Sequence, residues 1–166
     1  MDLKYYQVRY RLDGVNSFLI WYSNDSSGVV VAGGGSVPSF RTQLDLGVYA
    51  ERRGLAFEAE EPSEYDFDAV ELWLSRPEDS SIDCRLFLNV WNLIDDMATS
   101  TGGEAFERTS RGAACVYDKL FWGNNIPAVT PPAECYVPVW SGEEVAKLHR
   151  ILGDGMALVR NAVRAI

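Results

Sequence analysis

The sequence lacks the long apolar segments by which membrane proteins are recognised. None of its apolar runs reaches the roughly 18 residues that a membrane-spanning helix requires. Its first residues, MDLK, are not a basic region followed by an apolar stretch, so no secretory signal is predicted. We therefore expect a cytoplasmic protein with no membrane partner.

Cysteine and histidine are also scarce. The three cysteines, Cys84, Cys115 and Cys135, have long and unequal spacings that fit neither a metal site nor a disulfide framework. We expect them to be buried free thiols. His149 is the one histidine, and no G-x-S-x-G motif is present. We therefore expect a surface histidine and a protein that is not an enzyme, with no catalytic residue, metal or cofactor.

Positive charge is sparse in one third of the chain. The net charge is −9, and residues 51–100, with thirteen acids and four bases, account for all of it. Such a field repels nucleic acid phosphates and attracts basic surfaces, so we expect no direct nucleic-acid binding. Solvation of an acidic face is the alternative interpretation. Residues 58–71, the acidic segment, hold seven acids that we predict to bind a partner protein: Glu58, Glu60, Glu61, Glu64, Asp66, Asp68 and Glu71.

Apolar residues are plentiful, at 47%, which is enough to close a substantial core in one domain of residues 1–166. Apolar residues alternate over residues 6–12 and 18–22 on either side of Asp13-Gly14, which predicts a β-hairpin. Further strands are expected at 29–31 and 55–57, and the acidic residues 58–66 are expected to form a loop. Four prolines in residues 126–138 predict an extended loop.

Helical periodicity follows later in the chain. Phe40, Leu44 and Val48 predict a helix over about 39–53, and a short helix is expected after Asp66 or Asp68. A stripe of apolar residues predicts a helix over 83–99 with Asp83 at its N-cap. A final helix begins with the capping-box pattern SGEE at residues 141–144. Strands first and helices later predict an α+β domain, a small antiparallel sheet built on the N-terminal hairpin with about four helices packed on it.

Residues 33–36 form a glycine-rich loop, Gly33, Gly34, Gly35 and Ser36. It matches neither a dinucleotide fingerprint nor a Walker A loop. With Ser36 as the cap of the following helix, its amides could bind an anion at a helix N-terminus. This gives an alternative function, a small-molecule or anion-binding accessory protein, beside the plainer interpretation of a flexible connection.

Asp95 and Asp96 lie near the C-terminal part of the predicted helix 83–99, where the helix dipole disfavours negative charge. Adjacent acids on a helix point about 100° apart, so they do not form a metal site by themselves. The placement indicates a specific partner for these carboxylates. We favour an internal partner over an external one.

Two stretches, LFLNVWNLIDD at 86–96 and YDKLFWGNNIPA at 117–128, resemble a pattern in small immunity proteins of bacterial polymorphic toxin systems. The resemblance extends over about residues 37–160. It implies a cytoplasmic inhibitor that binds a cognate toxin domain, often a basic nuclease, and blocks its active site. The acidic segment would then mimic phosphate and attract the toxin. Asn89, Trp91, Asn92 and residues 117–125 are equally interpretable as fold determinants, and we favour that interpretation for Trp91 and Trp122. The oligomeric state stays open.

Overall fold

The predicted hairpin forms the centre of the main sheet. The computed structural model describes residues 2–77 and 81–166. Asp13 and Gly14 both have positive φ, 54° and 72°, which matches a two-residue turn whose twist suits the paired strands. The strands are β1 (Lys4–Leu12), β2 (Val15–Ser23), β3 (Ser27–Val29), β4 (Val37–Ser39), β5 (Ser63–Asp66) and β6 (Val163–Ala165).

The main sheet has the order β3-β2-β1-β5, and β5 runs parallel to β1. The sheet is therefore mixed, which corrects the prediction of an antiparallel sheet. The loop predicted over 58–66 is wrong for its last four residues, and the strand predicted at 55–57 is only a bridge between Tyr5 and Phe57. The third strand begins at Ser27 instead of Val29. A second, two-stranded parallel sheet joins β4 to β6.

The described residues form six helices instead of about four. They are α1 (Gln43–Arg52), α2 (Phe67–Ser75), α3 (Cys84–Thr101), α4 (Glu104–Ser110), α5 (Ala114–Gly123) and α6 (Gly142–Ala162). The α+β class is confirmed. The prediction of helix 83–99 is confirmed by α3, where Asp83 accepts a hydrogen bond from Leu86 N and Gly102 ends the helix in the left-handed conformation.

The main core lies between one face of the sheet and the helices α2, α3 and α6. Leu19 of β2 and Ile94 of α3 are fully buried in it. The predicted capping box of Ser141 and Glu144 is present at the start of α6. A Cβ at Gly155 would lie 2.7 Å from Ile94 Cδ1, so the missing side chain lets α6 approach α3.

The other face of the sheet is partly covered by α1. The predicted helix 39–53 begins late, at Gln43, because Phe40 exchanges two backbone hydrogen bonds with Phe18 at 2.7 and 2.9 Å. Of the three residues whose spacing predicted this helix, Leu44 is 75% exposed and Val48 is 40% exposed, whereas Leu46 is buried. No helix in the described part of the chain has the length and hydropathy needed to cross a membrane.

Candidate partner-binding surface

The acidic segment lies along β1, and three cations of that strand bond to it. Glu58 is 3.6 Å from Lys4 Nζ, and Glu64 accepts a hydrogen bond from Arg9 at 2.9 Å. The pairing follows from the parallel register, which places Glu64 opposite Arg9. Alternation puts both residues on the same face of the sheet. Part of the charge predicted to meet a partner therefore meets the protein's own strand.

The carboxylates of Asp66 and Asp68 accept hydrogen bonds from backbone N–H groups. Asp66 is the N-cap of α2 and accepts a hydrogen bond from Ala69 N at 3.0 Å. Asp68 accepts hydrogen bonds from the hairpin-turn amides of Asp13, at 2.6 Å, and Gly14, at 2.8 Å, and it pairs with Arg11 at 3.3 Å. These carboxylates fasten α2 to the end of the hairpin.

Glu71 shares a cation with the hairpin turn. The Arg160 guanidinium donates to both oxygens of Glu71, at 2.8 and 2.7 Å, and to both oxygens of Asp13, at 2.9 and 2.8 Å. The hydrogen bonds to Asp13 and Glu71 raise the pKa of Arg160, and its donation lowers the pKa of Asp13. The network joins α6, α2 and the β1–β2 turn.

Three of the seven carboxylates have no cation partner in the described residues. Glu60 and Glu61 are exposed, and Asp66 is engaged only as a helix cap. Four cations, from Lys4, Arg9, Arg11 and Arg160, face these seven carboxylates and Asp13, which shares Arg160 with Glu71, so four of the eight negative charges stay uncompensated. The structure brings the predicted residues together and divides them into four paired side chains and three unneutralised ones.

The glycine-rich loop does not precede a helix. Ser36 is followed by β4, and α1 is capped by Thr42 instead. The predicted role of Ser36 as a helix cap is therefore wrong, because residues 37–39 pair with the C-terminal strand β6. Gly34 and Gly35 have φ of 85° and 79° in a turn closed by a hydrogen bond from Ala32 N to Ser36 O. The helix N-terminus on which the anion-binding hypothesis depended is absent from this loop.

Asp96 has internal partners, as favoured from the sequence. It accepts hydrogen bonds from Trp21 Nε1 at 2.7 Å and from Ser27 Oγ at 2.6 Å. Burial, with the nearby charges of Asp96 and Glu107, raises the pKa of Asp95. Among the described residues, no group of three histidine, cysteine, aspartate or glutamate side chains is arranged to hold a metal ion.

His149 and the cysteines differ in part from expectation. The half-buried His149 donates a hydrogen bond from Nε2 to the Leu74 carbonyl oxygen at 2.8 Å, so the ring links α6 to α2. Cys84 is buried, and burial raises the pKa of its thiol. Cys115 and Cys135 are exposed, so the prediction of buried thiols is wrong for these two.

An apolar surface that the sequence did not single out lies at the end of α5 and along residues 126–140, the proline-rich segment. Val137 is 75% and Val139 is 83% exposed, and Trp122, Val129 and Tyr136 are about half exposed. The sequence did contain a signal for this surface. Val137 and Val139 flank Pro138 in a stretch without the apolar periodicity of a buried helix or strand. The segment has no helix or strand, as predicted, but it is not extended throughout, because the Val129 and Thr130 N–H groups bond to the Ile126 carbonyl oxygen and the Glu134 N–H bonds to that of Pro131.

The proline-rich segment is fixed at two points. The Asn125 side chain donates to the Tyr136 carbonyl oxygen at 2.9 Å and accepts from the Tyr136 N–H at 2.8 Å. Lys119 Nζ donates to the Val139 carbonyl oxygen and to Glu144, both at 2.7 Å. A groove of about 420 Å³, lined in part by Pro138, Trp140 and Cys84, lies beside the segment. The apolar side chains are therefore held outward on an anchored backbone.

Comparison with known proteins gives the fold alone. No protein-family model and no curated protein matches this chain. The chain is similar in structure to the C-terminal domain of SatS, whose crystal structure is a complex with bromine. The TM-score is 0.60 over 98% of this chain and 94% of the other, with 13% sequence identity. At this identity the likeness establishes a shared α+β arrangement.

Proposed function

We propose that this protein is a toxin-neutralising immunity protein, which binds a basic toxin domain in the cytoplasm and blocks its active site. The observation that carries the proposal is the charge left on the acidic segment. Glu60, Glu61 and Asp66 lack cation partners in the described residues. The resemblance of residues 86–96 and 117–128 to immunity proteins supplies the class of partner.

Uncompensated charge on one surface favours a partner of opposite charge. Long-range attraction raises the association rate of oppositely charged proteins, and salt weakens it. A nuclease toxin has a basic surface because it binds phosphates. A row of carboxylates can occupy the positions of those phosphates and exclude the substrate.

The exposed apolar side chains near the proline-rich segment support protein binding in a second way. Trp122 and Tyr136 are aromatic residues at about half exposure, and aromatic residues often contribute most to binding energy at protein interfaces. Charge would govern the encounter and apolar contact the lifetime of the complex.

The proposal is tested with the toxin domain encoded beside this gene. We expect the gene immediately upstream to encode a large secreted protein with a variable C-terminal domain. That purified domain should bind this protein and lose its activity in a 1:1 mixture. The absence of both binding and inhibition would contradict the proposal.

The contribution of the acidic segment is tested by Glu60→Lys/Glu61→Lys, which leaves the pairs with β1 intact. We expect the association rate at low salt to fall about tenfold. Asp25→Lys/Asp118→Lys, which changes two other exposed acids, is the control with the same net charge. Equal rates for the two variants would mean that total charge, and not this segment, attracts the toxin.

A further inference from the structure

The edge of the main sheet at β5 is open. β5 is the last strand in the order β3-β2-β1-β5 and is hydrogen-bonded to β1 alone. An open edge presents unpaired N–H and C=O groups that can pair with another extended chain. The short length of β5 and the proline before it, Pro62, limit such pairing without preventing it.

The hydrogen-bond pattern between β1 and β5 determines which N–H and C=O groups of β5 face away from the sheet. The Tyr5 carbonyl oxygen accepts from Glu58 N–H, so alternate residues of β1, including Arg9, turn their backbone groups towards β5. Arg9 stands opposite Glu64, and in a parallel ladder it bonds to the two residues that flank Glu64. The backbone groups of Ser63 and Tyr65 therefore face β1.

Four backbone groups point away from the sheet as a consequence. They are the N–H and C=O of Glu64, the N–H of Asp66 and the C=O of Pro62. β5 pairs with β1 alone, and among the described residues none of these four groups has a backbone hydrogen bond outside the strand ladders. Pro62 fits this direction, because the position whose N–H would face solvent is where a strand tolerates proline.

The side chains beside this edge favour one kind of occupant. The carboxylates without cation partners, Glu60, Glu61 and Asp66, lie within or just before β5, and the Glu64 side chain is 70% exposed. A second copy of the chain would place acids beside acids, which is unfavourable between strands. A lysine or arginine on an added strand would instead lie beside Glu64.

We propose that the β5 edge receives an extended segment of the toxin domain, with basic residues at alternate positions, which becomes the fifth strand of the main sheet. This inference rests on the proposed function and adds the way in which the partner binds. The backbone groups fix the segment in place, and the carboxylates select its charge.

Amide hydrogen exchange tests this with the toxin domain from the neighbouring gene. In the free protein the amides of Glu64 and Asp66 should exchange fast, whereas the Tyr65 amide is already protected by β1. In the complex, exchange at Glu64 and Asp66 should slow about 100-fold, and Tyr65 should change little. A toxin that binds without protecting these two amides would overturn the strand addition and leave the proposed function intact.

Two variants of Glu64 distinguish the contribution of its backbone N–H to toxin binding from that of its carboxylate. Glu64→Ala and Glu64→Pro both remove the carboxylate, but only the proline removes the outward N–H. We expect Glu64→Pro to dissociate from the toxin about tenfold faster than Glu64→Ala. Equal dissociation rates would contradict the proposal.

Two further outcomes concern the occupant of the edge. Protection of the Glu64 amide in the free protein at high concentration would assign the edge to a second copy instead. The absence of toxin binding would overturn both proposals.

Discussion

The acidic segment and the proline-rich segment contrast in how they use their side chains. In the acidic segment, most carboxylates are bonded to the protein's own cations and backbone amides, although charged side chains normally face water. In the proline-rich segment the backbone is anchored while valines and aromatic residues stay exposed. Composition alone therefore does not show which side chains are bonded within the protein and which stay exposed.

Among the variants that test this comparison, we expect the largest effect from removing an acid that bonds to backbone amides. Asp68→Ala leaves the amides of Asp13 and Gly14 without their acceptor and Arg11 without its partner. We expect the free energy of unfolding to fall by about 2 kcal/mol, measured by urea denaturation. Glu61→Ala, at an exposed acid, should change it by less than about 0.5 kcal/mol. Similar losses in both variants would erase the distinction between bonded and free acids.

A smaller effect is expected where the proline-rich segment is fixed. Asn125 has φ of 50°, so Asn125→Gly removes both hydrogen bonds to Tyr136 without adding backbone strain. We expect a loss of about 1 kcal/mol and faster hydrogen exchange and thermolysin cleavage in residues 126–138. Asn124→Gly is the matched control, because Asn124 bonds to α5 through its backbone N–H. Exchange that increases equally in both variants would show that Asn125 does not anchor the segment.

Local signals in the sequence predicted part of this fold. Caps depend on residues three positions apart, so Asp83 and the pair of Ser141 and Glu144 were recognised from the sequence alone. The buried face of α1 could not be identified in this way, because Leu44 and Val48 have the same spacing as the buried Leu46 and Ala50. Only the packing of α1 on β2 decides between the two faces.

Long-range contacts account for the rest. β5 consists of Ser63, Glu64, Tyr65 and Asp66, whose composition does not favour a strand, and its partner β1 lies 55 residues earlier. The pairing of the acidic segment depends on that strand. The sequence therefore indicated the acidic segment but could not separate paired carboxylates from free ones, or reveal the open sheet edge.

Among these variants, we expect the smallest effect at Glu144, whose carboxylate bonds to Lys119 beside the proline-rich segment. Hydrogen bonds from Lys119 and from the Ser141 N–H lower the pKa of Glu144 below its ordinary 4.5. The folded state therefore binds this proton less readily than the unfolded state, and the stabilisation is complete above pH 4.5 and lost as the pH falls through the lower, folded value. Glu144→Gln should be less stable than the wild type at pH 7, with a difference that shrinks below pH 4.5 in urea denaturation. Glu143→Gln, its exposed neighbour, is the control. If the deficit of Glu144→Gln stayed constant down to pH 3, the ion pair with Lys119 would contribute nothing, and the anchoring of the proline-rich segment would depend on Asn125.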